Sequence, residues 1–95
     1  MDKAELLART KAFALRVLKL VDRLPQTTSG RAIRNQLVRS ATSIGANYRA
    51  ACRSRARAEF AAKLGIVAEE ADETIYWLQL ISGAKLVAEK SLARC

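Results

Sequence analysis

Residues 30–57 read GRAIRNQLVRSATSIGANYRAACRSRAR and hold seven arginines, no lysine and no acidic residue. Within this stretch Ile33, Leu37, Ala41, Ile44 and Tyr48 step by four, four, three and four. That is the period of one apolar helix face. Beside it runs a second stripe, Gln36, Ser40, Ser43 and Asn47, of short polar side chains. It reads either as a seam along which another helix approaches and hydrogen-bonds, or as a solvated edge. Arg31, Arg39, Arg49 and Arg53 project roughly opposite the apolar face, with Arg34 on its flank. The stretch therefore predicts a helix over about 30–52, capped by Ser29 or Gly30.

Working toward the N-terminus, Pro25 ends a preceding helix, and Gln26-Thr27-Thr28-Ser29-Gly30 make the connection. That first helix, about 2–24, is capped by Asp2 and carries Leu6, Phe13, Val17, Leu20, Val21 and Leu24 on one side. Toward the C-terminus, Ser54 is the expected cap of a third helix over about 55–82. Phe60, Leu64, Val67, Ala71, Ile75 and Leu78 form its expected inner face. Ile66, Trp77 and Leu80 lie away from that stripe, so the helix has a second apolar side. In a chain this small the second side points to another subunit. Gly83 breaks the pattern, and Leu86, Val87 and Leu92 suggest a short stub over about 84–94.

The fold class expected is all-α. Short loops between long helices give an antiparallel up-down bundle of the four-helix type, with a short or incomplete fourth helix, forming one domain over 1–95. A domain of 95 residues has limited surface to bury, and self-association is a common remedy.

The formal net charge is +8, distributed unevenly. Residues 31–57 contribute +7 and residues 58–83 contribute −4. A basic chain of this kind points to a nucleic acid, an anionic membrane or an acidic protein. The apolar helix faces are committed to a bundle, which argues against a membrane partner. No uncharged run approaches the length of a spanning helix. Cys52 and Cys95 form no paired motif and no secretory signal is evident, so reduced thiols in a bacterial cytoplasm are expected.

Catalytic chemistry finds no foothold. There is no histidine, and the four glycines are scattered, so neither an ordinary zinc set nor a phosphate loop can be assembled. Glu69, Glu70, Asp72 and Glu73 lack the Glu-x-x-His partners of a di-metal bundle. No enzyme activity, cofactor or metal is expected.

The block 36–81, QLVRSATSIGANYRAACRSRARAEFAAKLGIVAEEADETIYWLQLI, resembles the bacterial four-helix-bundle proteins encoded by intervening sequences of 23S ribosomal RNA genes. Phe13, Val17, Leu24 and Pro25 fit the opening helix of that family. The resemblance implies a bundle of four antiparallel helices and a ring-like homo-oligomer, a pentamer in known members. A related branch, the accessory variability proteins of diversity-generating retroelements, engages nucleic acid and a reverse transcriptase. The shared residues Arg39, Ser40, Ser43, Ile44, Asn47, Arg53, Glu59 and Phe60 resemble a packing and assembly signature. This chain has Ala50-Ala51 where many relatives have Glu-Gly.

Two functional readings remain. In one, Arg31, Arg39, Arg49 and Arg53 grip RNA or DNA phosphates without reading sequence. In the other, the acids of the third helix neutralise those arginines and the chain is a protein-assembly module.

Overall fold

A computed structural model describes residues 2–88 and 92. These residues form three helices, α1 (Lys3–Val21), α2 (Thr28–Cys52) and α3 (Arg57–Gly83), with no strand among them. Neighbouring helices run antiparallel. Arg34 near the start of α2 meets Val21 at the end of α1, and Ser40 of α2 meets Thr74 of α3. Helix α2 lies in the middle, packed more extensively on α3 than on α1, while the backbones of α1 and α3 stay apart and meet only through side chains of the core. The result is a slab of 44 × 22 × 17 Å. Its radius of gyration, 14.4 Å, exceeds the roughly 12 Å of a rounded domain this long.

Each helix begins and ends for a local reason. The Asp2 carboxylate accepts from the Glu5 amide at 2.8 Å and caps α1. Helix α1 stops at Val21, ahead of Pro25, where a turn through Leu24 takes over. The Arg34 guanidinium reaches back to that turn, donating to the carbonyls of Val21 (3.3 Å) and Leu24 (3.2 Å). A cation there also meets the negative end of the helix dipole.

Two expected caps are corrected. Helix α2 starts at Thr28, and Thr27, not Ser29 or Gly30, accepts from the Gly30 amide at 3.1 Å. Helix α3 starts at Arg57 with Ala56 at the cap position and no side-chain bond, so Ser54 does not cap it. The turn after α2, in which the amides of Arg53 and Ser54 bond to carbonyls of α2, places Ser54 two residues too early.

Helix α3 ends in a Schellman turn. The Lys85 amide bonds to the Ser82 carbonyl and the Leu86 amide to the Ile81 carbonyl, both at 3.1 Å. The left-handed residue is Lys85, with φ 54°, rather than Gly83. Lys85→Gly is therefore expected to stabilise the fold by about 1 kcal/mol, read as a higher midpoint in urea with an unchanged slope. The turn brings Leu86 and Val87 onto the core. Of the stub expected over 84–94, residues 84–88 form this turn and an irregular segment. Leu92 also packs on the core, and residues 89–91 and 93–94 lie outside those described.

The core consists of Val17, Leu20, Val21 and Leu24, then Leu37 and Ala41, then Ile81. The first two helices bury the faces their spacing predicts. Helix α3 is turned from its predicted orientation. Thr74 and Ile81 are its buried residues, while Ile75 is 53% exposed. Trp77, expected to face away from the core, instead packs against it. The reason is polar: the Thr74 hydroxyl donates to the Ser40 oxygen at 2.9 Å, and Ser40 to the Leu37 carbonyl at 3.3 Å. The one Thr74 proton is shared with the Glu70 carbonyl, 2.8 Å away. This buried pair sets the centre of the α3 face, with Trp77 and Leu78 on its two sides.

Candidate nucleic-acid interface

The outer face of α2 is built by helix periodicity alone. Arg31 and Arg49 are 18 residues apart, five full turns, so they share one bearing about 27 Å apart. Arg53 lies one turn beyond Arg49. All three are exposed. Arg31 donates to the Gln26 carbonyl at 3.0 Å, a neutral partner that leaves its charge uncompensated. Arg31 also stands near the N-terminus of α2, where the helix dipole disfavours a cation. Helix stability does not explain its presence.

Arg39 is different. Its guanidinium pairs with Glu70 at 3.1 Å and with Glu73 on α3, and it also meets the Gln36 amide oxygen. Glu73 further accepts from the Trp77 indole at 3.0 Å, so one carboxylate ties α2 to the aromatic edge of α3. Among the described residues, Arg39 is the only one of the seven arginines in 30–57 with a carboxylate partner. Glu59, Glu69 and Asp72 make no ion pair there. Neutralisation by α3 thus reaches one arginine of this face. Arg39→Ala is expected to leave affinity for an RNA duplex within about twofold. The same change at Arg49 is expected to lower that affinity and to reduce the salt slope by about one unit. Anisotropy titrations of the two variants side by side check the contrast.

The packing residues read from the sequence separate. Ser40 is buried and bonded across to α3. Ser43 and Ile44 are half-buried, and the Asn47 amide turns back to its own helix, donating to the Ser43 carbonyl at 2.9 Å. Glu59 and Phe60 stand at the exposed start of α3. Of the candidate interface residues, Ile66 is 40% exposed and Leu80 is half-buried. Tyr76, edge-on to Trp77 at 5.2 Å, adds a 53% exposed ring to that side.

Sequence reading missed Arg34 and Thr74. Arg34 sits on the flank of the apolar face, which was the available sign that it is not a free surface charge. Thr74 could have been found by asking which polar residue of α3 answers the small polar stripe of α2.

A family model described as 23S rRNA-intervening sequence protein matches residues 2–95. Among solved structures, the chain is similar to a protein of unknown function from the S23 ribosomal protein family of Bacteroides thetaiotaomicron. The two share 33% identity with a TM-score of 0.89, over 99% of this chain and 84% of that one. No curated protein matches. No helix among the described residues is long and apolar enough to cross a membrane.

Proposed function

The chain belongs to the 23S rRNA-intervening sequence protein family, and on that footing we propose that it is a small accessory protein that binds RNA or DNA without reading sequence. The observation that carries this reading is the outer face of α2, where Arg31, Arg49 and Arg53 are exposed without a carboxylate partner among the described residues. Spread over about 33 Å, they match a polyanion of about ten base steps rather than a single small anion. The reading assigns no catalytic residue.

The proposal includes a homo-oligomer and a bundle of the four-helix type. The contacts of Leu86, Val87 and Leu92 with the core support the bundle. The apolar residues Ile66 and Tyr76 on the outer side of α3, flanked by the exposed acids Glu69 and Asp72, support a protein-facing surface there. A ring of such chains would multiply the arginine face into a basic belt. The competing reading, an assembly module whose arginines are all neutralised internally, is supported at Arg39 alone.

The test is fluorescence anisotropy with a labelled structured RNA and a labelled DNA duplex, from low to near-physiological salt. The expected plot of log affinity against log salt falls with a slope of about −3 per engaged protomer. Absence of binding to both probes at low salt would sink the proposal.

A further inference from the structure

We propose that the cavity at the α2–α3 turn, well apart from the start of α2, binds a phosphomonoester dianion. The cavity holds about 400 Å³ and is lined by Lys3, Tyr48, Ser54, Arg55, Arg57 and Phe60 among others. Three separate features of its wall favour an anion with more than one charge.

The first is charge. Lys3, Arg55 and Arg57 come from two helix starts and the turn between α2 and α3, and all three are exposed. Arg55 and Arg57 have no ion-pair partner among the described residues. The carboxylates nearby are those of Asp2, which is engaged as the α1 cap, and Glu59, in the first turn of α3.

The second is the backbone. Helix α3 is 27 residues long, and among the described residues no side chain bonds to its first amides. Its first helical bond runs from Phe60 to the Ala56 carbonyl, so the amides of Arg57, Ala58 and Glu59 remain open donors at the positive end of the dipole.

The third is Ser54. Its hydroxyl oxygen exposes less than 1 Å² and has no hydrogen-bond partner among the described residues. An unsatisfied buried hydroxyl costs about 1–3 kcal/mol, a cost relieved if the side chain turns into the cavity it lines and donates to a phosphate oxygen there.

The remaining wall suits the organic part of such a ligand. Phe60 is 40% exposed, and the buried Tyr48 lines the same cavity. Burial, followed by a hydrogen bond with Cys52, holds the Tyr48 phenol above its usual range. It therefore adds no negative charge. A nucleotide base or sugar can rest on Phe60 while its phosphate meets the cations. The same chemistry is offered by the 5′ end of a nucleic-acid strand and by a free mononucleotide.

The test compares two 3′-labelled oligoribonucleotides, identical except for a 5′-phosphate or a 5′-hydroxyl, on the full chain. It adds AMP and inorganic phosphate as unlabelled ligands, followed by amide NMR shifts. The 5′-phosphate is expected to bind about tenfold tighter, as two or more charge-assisted bonds imply. The double variant Arg55→Ala/Arg57→Ala and the variant Ser54→Ala should lose that preference while keeping their helix content. Equal binding of both oligonucleotides, with AMP or phosphate still shifting the Ser54–Glu59 amides, supports the site with a free nucleotide as its source. If the 5′-hydroxyl strand fails to bind while AMP binds, the polyanion face of α2 is refuted and the cavity stands. Equal strands with no shift by AMP or phosphate overturn the site, as does a preference that survives both sets of substitutions.

Discussion

Reversing two charges, Arg31→Glu with Arg49→Glu, is expected to lower affinity for RNA or duplex DNA by on the order of a hundredfold or more at near-physiological salt. On the proposed reading each reversal would remove a phosphate contact and add a repulsion, so the salt slope should shrink by about two units or more. The fold should tolerate the change. Arg31 contributes one exposed bond to the Gln26 carbonyl, and glutamate there suits the N-terminal end of α2 better than arginine does. Arg49 lies in the last turn of α2, where losing a cation costs about 0.3–1 kcal/mol. The two effects nearly offset. Unchanged circular dichroism and sedimentation with lost binding would assign the effect to the surface. Unchanged binding would remove the outer face of α2 from consideration.

Gly30→Ala is expected to destabilise the fold by about 2–3 kcal/mol, although alanine is ordinarily the better helix residue by about 1 kcal/mol. A Cβ on Gly30 would stand 2.1 Å from the Pro25 carbonyl oxygen and 3.1 Å from the Thr27 hydroxyl. The obstacle is backbone, so the α1–α2 connection must shift. That connection holds the Thr27 cap and the carbonyl of Leu24 that Arg34 grips. The melting temperature should fall by about 10–20 °C. Gly65→Ala is the control, because a Cβ there meets nothing within 4 Å. It should stabilise the helix by about 0.5–1 kcal/mol. Opposite signs for two identical substitutions, both inside helices, would locate the strain at the loop. A neutral Gly30→Ala would show that the connection yields.

These two sites differ in how they could be read in advance. The bearing shared by Arg31 and Arg49 follows from spacing, because both lie on one uninterrupted helix. The faces of α1 and α2 were legible for the same reason, down to Val17, Leu20, Leu37 and Ala41. The close approach at Gly30 was not, since it depends on the path of the chain between Pro25 and Thr28. Caps failed likewise: Thr27 against Ser29 or Gly30, and Ala56 against Ser54, differ by a turn geometry that propensity does not set. Helix α3 was the hardest to orient because it is apolar on more than one side. Its centre is marked by Thr74, a residue that apolar periodicity passes over. Arg39 shows the complementary limit, for it lies on the same outer half of α2 as the other arginines, about 80° round from Arg31 and Arg49, while its partners, Glu70 and Glu73, lie on another helix.

The central position of α2, with the backbones of α1 and α3 apart, bears on the order in which the molecule opens. Helices α2 and α3 share the larger contact, the buried Ser40–Thr74 bond and the Arg39 ion pairs. Helix α1 is held by one face and by the Arg34 clasp at one end. It can peel from its N-terminal end without disturbing the α2–α3 pair, a sub-global opening of lower free energy than complete unfolding. The amides of α1 should then exchange with solvent ahead of those in α2 and α3. Such an opening would uncover the sides of Leu37 and Ala41 that α1 covers, giving the monomer a transient adhesive surface at the edge of an otherwise settled pair.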